Sequence, residues 1–207
     1  MARDPQGRIQ ARREEIIAAC RQLYKTMSFQ EITIKEIGKV TPFTRTSIYN
    51  YFETKEEILL ALLQEEYEAL TQDLQTLCPE GRTTDAEGLA CTLAQSLERR
   101  PVLLRLLSMN LYDMEGNSRL ERLVEFKRAY FASVQALEGC LCRVRPALDE
   151  AARERFLYVF LPFIYGLYPY TSATEKQIEA MKEAGAVFEG KGVYEMTYLC
   201  VRQLLGQ

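Results

Sequence analysis

Nine consecutive residues, Thr44-Arg45-Thr46-Ser47-Ile48-Tyr49-Asn50-Tyr51-Phe52, gather aliphatic hydroxyls, a guanidinium, phenols and a carboxamide on one short stretch. Such groups meet the phosphates and base edges of a nucleic acid. The neighbourhood suits a polyanion: from Ile37 to Phe52 there is no carboxylate, while Lys39 and Arg45 are basic. The two flanking helix starts differ. Thr33-Ile34-Lys35-Glu36 and Thr54-Lys55-Glu56-Glu57 both read as capping boxes, in which the threonine accepts from the third backbone N–H and the glutamate reaches back. The start at Thr44 has Ser47 at that third position. A carboxylate there would compete with a phosphate for the same N–H groups, and omitting it costs roughly 0.3–1 kcal/mol. The plainer reading is a short polar surface helix. Three closely spaced aromatics weigh against it, because a small solvent-facing helix rarely presents them without a partner. Ile48 and Phe52 are expected to pack inward, with Tyr49 and Asn50 outward.

Other chemistries find little support. The chain of 207 residues contains no histidine, which removes Ser-His-Asp and Cys-His catalysis and His-ligated zinc. Its six cysteines (Cys20, Cys78, Cys91, Cys140, Cys142, Cys200) include no C-x-x-C pair. Cys140 and Cys142 would sit two apart on a helix, where side chains do not face each other. Gly185-Ala186-Val187-Phe188-Glu189-Gly190-Lys191-Gly192 is similar to a phosphate-binding loop, but it ends on Gly192 where Ser or Thr would hold magnesium. It also follows a helical rather than a strand-like stretch. Glu65-Glu66 and Asp149-Glu150 read as solvated faces. No cofactor or metal is expected.

The elements that must position the polar stretch follow from periodicity. Ile9, Arg13, Ile16, Ile17, Cys20, Leu23, Tyr24 and Met27 step by threes and fours, as on one face of a helix. A second helix opens at Thr33 and must end by Thr41, since Pro42 disfavours helical geometry in the residue before it. A third has Thr44 as N-cap, and a fourth runs from Thr54 through Leu59, Leu63, Tyr67, Leu70, Leu74 and Leu77. Cys78-Pro79-Glu80-Gly81 closes it and opens a linker. Further helices are predicted over 85–99, 101–112, 118–142, 149–169, 174–184 and 192–205. The fold class is all-α. The net charge of −3 is unevenly divided: residues 1–55 carry +4 and the remainder −7. The apolar run Phe156–Tyr170 falls short of the roughly 20 residues of a spanning helix. Met1–Gly7 lacks the apolar core of a signal peptide, so a reduced, cytoplasmic protein without membrane contact is the simplest reading.

Residues 12–63, and above all Ser47-Ile48-Tyr49-Asn50-Tyr51-Phe52-Glu53-Thr54-Lys55-Glu56-Glu57-Ile58-Leu59, resemble the DNA-binding domain of TetR-family transcriptional regulators. The resemblance implies a three-helix, helix-turn-helix DNA-binding domain over 8–70 and a larger helical ligand-binding and dimerisation domain over 71–207. It also implies roles. Thr33 would meet a phosphate at the start of the supporting helix. Thr44, Arg45 and Thr46 would lead the recognition helix, Tyr49 would contact phosphate, Asn50 would face a base, and Lys55 would grip the backbone. Arg45 is the expected direct reader, since its fork fits guanine in the major groove. The family usually shows Ala-Gly-Val-Ser across the turn, where this chain has Thr41-Pro42-Phe43-Thr44, and Gly38 replaces a usual alanine. Proline cannot take the positive φ open to glycine, so the turn must be built differently.

In the body, Phe156, Tyr158, Phe160, Phe163, Tyr165, Tyr168 and Tyr170 cluster in one helix. A helix apolar all round must be buried on all sides, in a core, against a subunit or around a cavity. Pro162 is expected to kink it. Phe160, Phe163 and Tyr165 are candidates for contact with a small-molecule effector. The reading is therefore a ligand-responsive, homodimeric repressor on a palindromic double-stranded operator, released by a small, mainly apolar or aromatic effector. The alternatives are a helical protein–protein adaptor that has lost DNA binding, or an enzyme acting on a small apolar substrate.

Overall fold

The computed structural model describes residues 5–77, 85–186 and 190–206, and among these every regular element is helical. The order is α1 (Pro5–Tyr24), α2 (Ile34–Lys39), α3 (Arg45–Tyr49), α4 (Lys55–Leu77), α5 (Ala86–Glu98), α6 (Pro101–Gly116), α7 (Leu120–Val144), α8 (Glu150–Thr171), α9 (Glu175–Glu183) and α10 (Val193–Leu204). Local chemistry explains many of the ends. Thr33, Thr44, Asp85, Asp149 and Thr174 are N-caps whose side chains accept from the third backbone N–H, each contributing about 1 kcal/mol. α6 runs to Gly116, four residues past its expected end. There Asn117 Nδ2 donates to the Asp113 carbonyl at 2.8 Å and Ser118 Oγ to the Met114 carbonyl at 2.6 Å, serving the last turn's carbonyls.

The chain divides into two compact units, Met1–Tyr67 with Asn110–Tyr130 and Glu68–Met109 with Phe131–Gln207. Helices α4, α6 and α7 each contribute residues to both. In the first unit α1 packs on α2 and α2 on α3. Its core includes Ile16, Cys20, Tyr24, Ile32, Ile37, Ile48, Phe52 and the consecutive Ile58–Leu63 of α4, all buried. The α1 stripe holds from Ile16 onward, whereas Ile9 is half exposed. Arg13 lies on the stripe for a different reason: its guanidinium sits over the Phe52 ring at 5.4 Å and bonds Glu125.

In the second unit α10 packs on α5 and α8. Within the chain α8 is buried along one face. Only Phe156, Phe160, Ile164 and Leu167 are buried, one face at helical spacing. Tyr158 is 77% exposed, Val159 51% and Tyr170 65%, so within one chain the helix is not covered on all sides. Pro162 and Pro169 both lie inside α8. No helix among the described residues is long and apolar enough to cross a membrane. The closing segment Cys78-Pro79-Glu80-Gly81 lies outside the described residues, as does Val187-Phe188-Glu189 of the glycine-rich segment. α9 does precede that segment as a helix, and Lys191 pairs with Glu195. Cys140 is buried and its thiol donates to the Leu74 carbonyl at 3.5 Å, while Cys142 is exposed.

Candidate nucleic-acid interface

The surface is built by two short helices and the turn between them. Thr33 Oγ1 accepts the Glu36 N–H at 3.2 Å and sets the start of α2. The Glu36 carboxylate takes Lys39 Nζ at 2.8 Å. α2 closes on Val40, whose N–H reaches the Ile37 carbonyl at 3.2 Å. The turn that follows contains no residue with positive φ. Pro42 thus has its way: the link is made without the left-handed residue that a glycine would supply, and Phe43 N–H rests on Thr41 Oγ1 at 3.4 Å. Thr44 Oγ1 then accepts the Ser47 N–H at 3.2 Å and starts α3. This neutral cap leaves the first turn of α3 without an acid.

Helical spacing sorts the side chains of α3 and of the residues just after it as expected. Ile48 and Phe52 are fully buried, whereas Tyr49 is 42% exposed and Asn50 is exposed. The Tyr51 and Phe52 N–H groups both return to the Ile48 carbonyl, at 2.9 and 3.1 Å, closing the helix over its buried anchor. Thr44, Arg45 and Thr46 are exposed beside Tyr49 and Asn50, and Thr33 is exposed at the head of α2.

Arg45 and Lys55 both have intramolecular partners. Arg45 folds along α3, with Nη2 donating to Tyr49 Oη at 3.1 Å and the guanidinium 5.6 Å from that ring's centre. This pre-aligns a phenol and a guanidinium on one exposed edge. Lys55 Nζ donates to the Phe29 carbonyl at 2.7 Å and lies 4.3 Å from the Phe29 ring centre. An ammonium has three N–H donors, so this bond leaves it capacity for an anion. Arg12 also belongs to this neighbourhood: it lies 5.8 Å from the Phe43 ring centre and donates to Tyr51 Oη at 3.3 Å. Sequence reasoning missed Arg12. The aromatics at 43 and 51 were its only signal, and nothing in one dimension places them beside α1.

Phe160 is buried, between Phe156 at 5.5 Å and Phe163 at 6.1 Å between ring centres. Phe163 and Tyr165 are part-exposed.

Residues 16–62 match the family described as bacterial regulatory proteins, tetR family, and residues 64–190 match the tetracyclin repressor-like C-terminal domain. The chain belongs to the TetR family. It is a TetR-family DNA-binding transcriptional regulator. Solved structures share the fold. A TetR-family transcriptional regulator from Marinobacter aquaeolei VT8 matches with a TM-score of 0.61 at 14% identity, covering 94% of this chain and 87% of that one. Thermus thermophilus FadR, a TetR-family repressor in complex with lauroyl-CoA, matches at 0.59 and 21%, covering 93% of each chain. Bacillus subtilis FadR in complex with stearoyl-CoA matches at 0.57 and 18%, covering 92% of this chain and 96% of that one. No curated protein matches the sequence significantly. The segment matched by the first of these families contains both α2 and α3.

Proposed function

We propose that this TetR-family chain is a homodimeric, non-enzymatic repressor that binds a palindromic operator and is released by a small, mainly apolar or aromatic effector. The observation that carries the DNA-binding half is the exposed edge of α3, where Arg45, Thr46, Tyr49 and Asn50 stand on a fully buried Ile48–Phe52 anchor with no carboxylate from Ile37 to Phe52. Thr33, Tyr49 and Lys55 would take phosphates, and Thr44, Arg45, Thr46 and Asn50 the leading contacts. We place this work in residues 8–70, and effector binding and dimerisation in 71–207.

Support for a dimer comes from α8 and α10. Tyr158, Val159, Tyr170 and Leu199 are exposed apolar residues on helices whose opposite faces form the core, a pattern that calls for a covering partner. The effector would meet Phe160, Phe163 and Tyr165. Long-chain acyl-CoA thioesters are the first compounds to try, since two proteins of this fold hold them.

Selection of duplexes from a random-sequence pool, followed by footprinting, tests the proposal. A palindrome is expected, with half-sites about one helical turn apart, 34–36 Å. Recovery of no duplex, or of a site without two-fold symmetry, contradicts it.

A further inference from the structure

Glu57 is a buried carboxylate, 1% exposed, in the first turn of α4. Its Oε2 accepts the Glu53 N–H at 2.8 Å and Arg119 Nη2 at 2.9 Å. Its Oε1 accepts Arg119 Nε at 2.6 Å and the Arg119 backbone N–H at 3.1 Å. Arg119 also bonds Glu53 Oε1 through Nη1 at 3.1 Å, and Thr54 Oγ1 donates to the Asn117 carbonyl at 3.0 Å. Three ties thus join residues 53–57 to the segment between α6 and α7.

A capping-box glutamate reaches back to the N–H of its own N-cap. Glu57 reaches one residue further, to Glu53, which lies in the link out of α3. On the other side of that link, Tyr51 and Phe52 are bonded to the Ile48 carbonyl and Phe52 is fully buried. The backbone from Ile48 to Lys55 is therefore fixed at both ends, by the core at one and by a buried anion at the other. A carboxylate with so little exposure stays in place only while its lone pairs are served. The paired N–H groups of Arg119 serve both oxygens.

We propose that Glu57, held by Arg119, is a positioning residue for the DNA-contacting edge. It pins the Glu53 amide and with it the exit of α3, setting where Tyr49, Asn50 and Lys55 stand relative to one another. This rests on the DNA-binding reading given above, and extends it to a segment sixty-two residues away.

The test compares the full chain with its Arg119→Ala and Arg119→Lys variants, titrated at several salt concentrations onto a duplex that the wild-type chain recovers from a random pool. Amide exchange at Glu53 is followed on each folded protein. For Arg119→Ala the expected result is an affinity about tenfold lower and a salt slope smaller by about 1, as one phosphate contact is lost. Glu53 exchange rises about tenfold or more, as a local opening becomes easier. Arg119→Lys lies between, because an ammonium supplies charge without the paired fork. It carries the comparison alone if Arg119→Ala does not fold. Unchanged affinity and slope in the folded variants overturn the proposal. So does lower affinity with slope and Glu53 exchange unchanged, the signature of general destabilisation. Failure of the wild-type chain to recover any duplex defeats the DNA-binding reading and this one with it, whereas wild-type binding with indifferent variants defeats only this one.

Discussion

Ser108 Oγ stands 2.7 Å from the carbonyl oxygen of Tyr165, the carbonyl to which Pro169 has no N–H to offer. In an uninterrupted α-helix the N–H four residues on would serve it, and proline lacks that donor. The serine hydroxyl, also 2.9 Å from the Leu104 carbonyl, ties α6 to α8 at the point where α8 cannot serve itself. Replacing Ser108 with Ala is expected to destabilise the chain by about 1 kcal/mol in urea melts. In a Pro169→Ala background the effect should shrink, because residue 169 then supplies the N–H. Equal effects in the two backgrounds would contradict this account.

Gly38 lies inside α2 without a positive φ. A Cβ there would meet the Phe43 carbonyl at 3.6 Å and Ile48 Cδ1 at 3.8 Å, both ordinary contacts. Gly38→Ala is therefore expected to stabilise by about 0.5–1 kcal/mol through helix propensity and a less disordered unfolded chain. Thermal unfolding checks it; a lowered midpoint would show that the turn around Phe43 does not accept the methyl group.

Burial pushes the Cys20 thiol up to about 12, against the opposing pull of Lys55 and Arg21. Cys20 and Cys140 are buried, whereas Cys142 is exposed. Alkylation of the native chain at pH 8, read by peptide mass spectrometry, should modify Cys142 well before Cys20 or Cys140, since the thiolate is the reactive form. Comparable rates at the three sites would contradict the packing of α1 and α7.

Burial alone would raise the Glu57 pKa, but hydrogen bonds from Arg119 and from the Glu53 and Arg119 backbone N–H groups outweigh it and hold the carboxyl below the usual range. A depressed folded-state pKa contributes stability above the unfolded value of about 4.3 and loses it as the pH falls through the folded value. Glu57→Gln should therefore lower stability at pH 7, with a difference from wild type that narrows below about pH 4. Arg119→Ala should cost roughly 2 kcal/mol at pH 7, less than the 3–5 kcal/mol of a fully buried pair, because Arg119 is 38% exposed. A wild-type to Glu57→Gln difference that does not change with pH would contradict this.

The helices were legible because caps and periodicity are local. Thr33 and Thr44 mark starts that a reader of the chain can find, and the inward Ile48 and Phe52 follow from spacing on one turn. What lies between elements was not legible. Glu57 reads as a routine capping glutamate; only the fold brings Arg119 to it and sends it past Thr54 to Glu53. Arg12 beside Phe43 and Tyr51 is hidden for the same reason. The run of aromatics in α8 suggested cover on all sides, but apolar residue type says only that a side chain benefits from a partner, and in a single chain Tyr158 and Tyr170 have a solvent-facing side.

The most direct measurement is the salt dependence of duplex binding by the wild-type chain and by Arg45→Ala and Tyr49→Ala, on a duplex selected by the wild type. Binding should fall steeply with salt, Tyr49→Ala should weaken it with a slope smaller by about 1, and Arg45→Ala should cost about 1–3 kcal/mol and relax preference at one base pair. Affinity that ignores salt, or that survives both substitutions unchanged, would contradict a DNA-reading α3 and leave a helical adaptor that keeps the fold without the binding.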